Sequence, residues 1–363
     1  MSASRPVPSA GLAERALGRT GVRRVERAVV VGALGLAALA VGLVVGVGLG
    51  SVAIPPGDTI GILARHLAGL DVPVSWPAAS ETIVLELRLP RVLTTFVVGA
   101  GLAVAGATLQ SVLRNPLADP YVLGTASGAA LGAAIAVLVP VRVVVLEFGL
   151  LHGLAFAGAL GSIGLVYRLA RTSPLAPLTG LLLTGYAVGS LLAAGLALAM
   201  YLSGTQLGQI FAFLLGGFDG SSWLRLAGAA PLVLGATGAI LLRARALNAF
   251  LLGEESAAHL GIDVRRERAV LLGLASLATA AGVAVAGLIG FVGLVVPHVV
   301  RLLVGPNARL VLPLSAIYGA ALLGGADVVA RVLGDIPVGI VTAVVGAPFF
   351  LALLRGARTG YEP

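Results

Sequence analysis

The chain has 363 residues, of which 58% are hydrophobic and 11% charged, with a mean hydropathy of +1.04. Soluble domains carry about 25% charged residues, so this chain lacks the polar surface that a soluble enzyme, a disordered chain or a fibrous protein needs. The formal charge of +8 comes from 24 arginines with no lysine, and it points to the arginine excess of cytoplasmic membrane loops rather than to nucleic acid. The fold class expected is an all-α polytopic membrane protein.

In chain order, residues 1–28 are polar and hold six arginines, which suits a disordered cytoplasmic tail near anionic lipid. Val29–Ile54 then runs without a charge, longer than the apolar core of about 7–15 residues in a cleaved signal peptide. It reads as a first membrane helix, closed by Pro55-Pro56-Gly57. An external segment, 57–87, carries Asp58, Asp71, Glu81 and Glu86. Apolar runs follow at 91–113, 122–140, 147–167 and 175–202, and again at 224–242, 269–288, 290–304, 309–330 and 338–354. That makes about ten transmembrane helices in one domain, 29–355, several of them short or broken by Pro and Gly. A tail at 356–363 completes the chain, and an even number of spans puts both termini in the cytoplasm.

With this topology eighteen arginines fall inside and six outside, the latter being Arg65, Arg88, Arg91, Arg142, Arg225 and Arg331. That asymmetry fixes the expected orientation. A weak two-half internal repeat is also visible. Each half has a Gly/Ala-rich helix, a Pro/Asn break at Asn115-Pro116 or Pro306-Asn307, and a second Gly/Ala-rich helix.

Catalytic chemistry is hard to place. The four histidines, His66, His152, His259 and His298, are scattered with no partner at ligand spacing, so no metal site or cofactor is expected. A P-loop requires a lysine, and the chain has none, so any ATP hydrolysis belongs to a separate subunit. An ion-driven carrier needs intramembrane relay groups, and Asp327 and His298 are the candidates for that role.

Two regions stand out. The longest cytoplasmic insertion, about 243–268, contains Gly253-Glu254-Glu255-Ser256-Ala257-Ala258-His259-Leu260-Gly261. An acidic start suits the helix dipole and Gly261 is a natural stop. It is either an ordinary loop helix or a docking knob for a soluble partner. Outside, Arg88, Arg91 and Arg331 lie at one rim, as interfacial anchors or as a recognition site for carboxylates on a partner.

The residues also carry a resemblance. Arg88-Leu89-Pro90-Arg91, the run Gly99–Gln110, Arg114-Asn115-Pro116-Leu117-Ala118-Asp119-Pro120 and Gly216-Gly217-Phe218 resemble the FecCD permeases. So do Gly253-Glu254-Glu255, Gly290–Arg301, Gly324-Gly325-Ala326-Asp327 and Ile336–Pro348. These are the membrane subunits of ABC importers for iron–siderophores, haem and cobalamin, and the likeness covers about 30–357 in the family's order. It implies a second permease, identical or paralogous, two cytoplasmic ATPases and an external substrate-binding protein, in the bacterial cytoplasmic membrane.

By that resemblance, Gly253, Glu254, Glu255, Ala257, Ala258, Leu260 and Gly261 match the ATPase-coupling element. Arg88, Arg91 and Arg331 match arginines that face glutamates of the binding protein in the cobalamin importers. The family's polar gate before the fifth span falls on Ser173–Thr179, where two prolines depart from the pattern, so Leu178 and Thr179 stand as gate positions. The expected function is import of a ferric siderophore by alternating access, with haem or cobalamin, and then an ion-driven carrier, as alternatives.

Overall fold

The computed structural model describes residues 10–357 apart from 51, 122, 142, 146 and 173–176; side chains are described from Glu26 to Leu353, excepting also Pro177 and Leu178. The first helix, α1 (Ala10–Gly48), is followed by α2 (Pro56–Leu67) and α3 (Ala78–Thr82). A π-helical turn, Ile83–Arg88, joins α3 to α4 (Leu89–Val112). Next come α5 (Thr125–Leu138), the two-residue strands β1 (Val144–Val145) and β2 (Phe148–Gly149), and α6 (Leu150–Arg171). The middle of the chain holds α7 (Pro177–Leu202), α8 (Leu207–Leu215), α9 (Trp223–Leu241), α10 (Ala244–Leu252) and α11 (Glu254–His259). The last helices are α12 (Val264–Ala286), α13 (Val292–Val304), α14 (Ala308–Val332) and α15 (Val338–Ala357).

Every apolar run expected to span the membrane is a helix. Seven helical stretches are long and apolar enough to cross a bilayer by length and composition, and four shorter apolar helices accompany them among the described residues. At 13 residues, α13 rises only about 20 Å, short of the roughly 30 Å hydrocarbon core. Its neighbours must cover its ends.

Two boundaries need correction. The disordered tail expected over 1–28 does not hold from Ala10 onward, because α1 begins there. Ala10–Glu26 has no proline and is rich in Ala, Leu, Arg and Glu, strong helix formers, so the helix of the first span extends outward at little cost. Residues 1–9 of that tail, and 358–363 of the C-terminal one, lie outside the described residues. The second span expected at 91–113 starts earlier, since the helical stretch is continuous from Ala78 to Val112.

The axis of the bundle is α4, buried along most of its length. Glycine makes this possible by removing side chains at the crossings. A Cβ on Gly99 would stand 2.3 Å from the carbonyl oxygen of Gly319 on α14, and one on Gly106 would stand 1.9 Å from that of Gly293 on α13. The α5–α6 crossing is equally close, with a Gly132 Cβ 2.0 Å from the Leu154 oxygen. Buried Thr94, Thr108 and Ser111 return their hydroxyls to carbonyls one turn back on α4, so the axis carries these polar groups with their donors satisfied.

Candidate functional site

Three helix ends meet at one end of the bundle. Arg88 closes the π turn, buried, and donates to the carbonyls of Val47 (3.0 Å), Gly48 (2.8 Å) and Val52 (2.5 Å). The last carbonyls of a helix lack intrahelical donors and carry the negative end of its dipole. Arg88 therefore caps the C-terminus of α1.

Arg91, at the start of α4, faces two carboxylates. Its Nε and Nη2 approach Asp327 Oδ1 of α14 at 3.0 and 2.9 Å, and its Nη1 approaches Asp219 Oδ1 at 2.9 Å. Arg331, one turn beyond Asp327, donates from Nε to Asp327 Oδ2 at 3.0 Å and from Nη1 to the Leu49 carbonyl at 2.7 Å. The Asp327 side chain is 1% exposed, whereas that of Asp219 is 76% exposed. The structure thus brings Arg88, Arg91 and Arg331 together and engages all three within the chain. Asp327 is occupied by two guanidinium groups and offers no free relay. His298 lies edge-on to Phe349, ring centroids 6.2 Å apart, and is in no ion pair among the described residues.

At the other end of α4, Arg301 of α13 donates to the Gln110 side chain, to the Ala107 carbonyl (3.0 Å) and to Ser111 Oγ (3.2 Å). Gln110 in turn donates to the Gly293 and Leu294 carbonyls at 3.1 and 3.2 Å. That network pins the short α13 to the axis.

Beyond it stands the α10–α11 elbow. Gly253 (φ +109°) and Gly261 (φ +78°) bracket α11 in backbone conformations that favour glycine. Ala257 is buried against the chain's own helices, while Glu255, Ala258, His259 and Leu260 are exposed. Leu260 is 64% exposed, an apolar side chain without cover. Glu254 is ion-paired to Arg268, and Arg243 to Glu267 at 2.7 Å. Asn248 of α10 accepts from the Ala308 N–H at 2.7 Å and donates to Asn307 at 2.9 Å. The elbow is rigidly seated on α12 and α14, with one face outward.

The gate positions are less informative. Thr179 is exposed near the start of α7; Ser173–Ala176 and the side chain of Leu178 lie outside the described residues. Sequence reasoning missed Asp219, for which no local signal exists, and the Gln110–Arg301 lock. The i,i+4 spacing of Asp327 and Arg331 was the available clue to their pair.

The chain matches the FecCD transport family over residues 38–356. It belongs to that family. It is 43% identical over 280 residues to the cobalamin import system permease protein BtuC of Halobacterium salinarum, covering 77% of this chain and 75% of that protein. It is 41% identical over 286 residues to the hemin transport system permease protein HmuU of Yersinia pestis, covering 76% and 83%. A solved inward-facing structure of a metal-chelate type ABC transporter aligns with a TM-score of 0.76 at 32% identity, covering 89% of this chain and 97% of that one. This FecCD chain is a membrane-embedded permease subunit of an ATP-binding-cassette importer, a transport component and not an enzyme.

Proposed function

We propose that this FecCD permease imports a ferric siderophore by alternating access, as one half of a permease pair in the bacterial cytoplasmic membrane. The likeness to the metal-chelate type transporter, across nearly the whole of both chains, carries the reading. Two ATPases work below it and a substrate-binding protein above. The exposed edge of the elbow, Glu255, Ala258 and Leu260, is the surface offered to an ATPase, with Gly253, Glu254, Ala257 and Gly261 holding its shape. Thr179 and Leu178 stand at the cytoplasmic gate.

The docking role expected of three arginines centres on Arg91. Its guanidinium faces the exposed Asp219, while Arg88 and Arg331 hold the helix ends behind it. A carboxylate from the binding protein fits where Asp219 now sits.

The 43% identity to a cobalamin permease supports cobalamin as the second reading. Uptake of labelled ferric siderophores, cobalamin and haem decides between them, in cells with and without the chain, with the membrane potential collapsed and ATP maintained. Chain-dependent siderophore uptake that survives collapse is expected. Uptake of cobalamin or haem alone transfers the assignment to that ligand, and loss on collapse removes the ATP-driven mechanism.

A further inference from the structure

The exposed half of α7 is divided into two strips of different chemistry. Its other side packs on α5, with Gly185 and Gly189 against Gly124 and Gly195 against Leu131. At 3.6 residues per turn, Thr179, Tyr186, Ser190, Ala193, Ala197 and Tyr201 fall within a sector of about 80°, and all six are exposed. In the adjoining sector the exposed residues are Ala187, Leu191, Ala194, Leu198 and Leu202, all aliphatic, with Leu183 on the boundary. No residue of α7 is charged. Every exposed hydroxyl of the helix therefore lies on one strip, and the aliphatic strip is the one suited to lipid.

Depth separates the tyrosines. Those of an aromatic belt sit at the ends of a span, and Tyr201 does, one residue from the end of α7. Tyr186 is nine residues in from Pro177, about 13 Å along the axis, and Ser190 is one turn deeper. Tyr186 is 76% exposed, and its hydroxyl has no hydrogen-bond partner among the described residues. Hydrocarbon offers such a group no partner either. A second helix crossing here needs small residues throughout the contact, and the side chains of Tyr186 and Tyr201 hold its backbone away. Just beyond α7, Gln206 and Gln209 line an open groove of about 780 Å³. The strip thus runs from the gate position Thr179 toward an open groove at the opposite end of the span.

We infer that the tyrosine strip of α7 faces water, and that the Tyr186 hydroxyl donates to an oxygen on the organic shell of the transported chelate. The contact with the chelate rests on the import reading above, whereas the strip's exposure to water does not. With no charge on α7, recognition is by hydroxyl, ring face and size. An oxygen-rich shell finds a donor at Tyr186 and clearance over Ser190, Ala193 and Ala197.

The chain has no cysteine, so single cysteines report on the two strips directly. Tyr186→Cys, Ser190→Cys and Ala197→Cys are compared with Leu191→Cys and Leu198→Cys, each in the full chain in membrane vesicles, by reaction with a charged methanethiosulfonate. The first three are expected to react at least about tenfold faster, because a charged reagent is excluded from hydrocarbon. Equal rates on both strips overturn the assignment. A disulfide between two Ser190→Cys chains, without labelling, makes the strip a contact between permeases, against the proposal. Tyr186→Phe keeps the ring and removes the hydroxyl. Its uptake of labelled ferric siderophore, cobalamin or haem, whichever the unaltered chain imports, is expected to fall about fivefold at subsaturating concentration. Unchanged uptake by a Tyr186→Phe chain that inserts normally overturns the hydrogen bond. Absence of uptake by the unaltered chain rejects the import reading and this contact with it, a failure that the labelling does not share.

Discussion

Arg91 and Asp327 lie 236 residues apart in sequence and 2.9 Å apart in space, at the junction of α4 and α14. Asp327 also holds Arg331, whose other arm caps α1 through the Leu49 carbonyl. One buried carboxylate thereby ties three helix ends, and its removal leaves two guanidinium groups facing each other with little water. Asp327→Asn is expected to cost about 3–5 kcal/mol, read as denaturant or thermal unfolding of the purified chain. A loss no larger than that of a surface pair, about 1 kcal/mol or less, contradicts the buried-tie description.

Asp219 separates docking from architecture. Its pair with Arg91 is exposed and it competes with any incoming carboxylate, so Asp219→Asn is expected to tighten binding-protein docking by up to about fivefold. The gain shrinks as salt is raised, because exposed charges are screened. Unchanged docking at low salt removes Arg91 from the docking surface.

The two glutamates of the elbow are not equivalent. Glu254 is paired with Arg268, whereas Glu255 is exposed and appears in no ion pair among the described residues. Glu255→Arg is expected to uncouple uptake from ATP hydrolysis with no change in unfolding temperature. Glu254→Arg sets two cations against each other and is expected to lower that temperature as well. Full uptake in the Glu255→Arg permease shows that the elbow's outer face does not transmit the ATPase motion.

Two glycine replacements test the close crossings. Gly106→Ala places a Cβ 1.9 Å from a carbonyl that backbone packing holds, and about 1–3 kcal/mol of overpacking is expected. Gly161→Ala on α6 meets nothing within 4 Å and is expected to be neutral or to stabilise by up to about 1 kcal/mol. Comparable effects of the two on unfolding temperature rule out the close approach as the reason for glycine.

Asp119, in the loop between α4 and α5, supplies a pH dependence. Burial pushes its carboxyl up to about 6, against a smaller lowering by the Tyr121 N–H, which donates to it at 2.8 Å. A raised folded-state value means the native chain binds the extra proton, so this contribution is full below about 4, the ordinary range. It is lost as pH rises to about 6. Asp119→Asn is expected to flatten the unfolding temperature between those limits, and an unaltered slope there assigns the dependence elsewhere.

The sequence by itself determined the class of molecule, the positions of its membrane helices, the elbow at Gly253–Gly261 and the family. These are local or compositional properties. Hydrophobic run length depends only on consecutive residues, and positive-φ glycines and acidic first turns mark helix ends within a few positions. It also singled out Arg88, Arg91 and Arg331, because arginines expected outside oppose the charge asymmetry. Only the tertiary structure decided what those arginines do. Arg88 caps α1, Arg331 and Arg91 share Asp327, and Arg91 also pairs with the exposed Asp219. The Gln110–Arg301 lock emerged in the same way, from residues on different helices. Helix identity follows from what a segment buries along itself, whereas an ion pair across 236 residues exists only once close-packed glycines have brought α4 and α14 into contact.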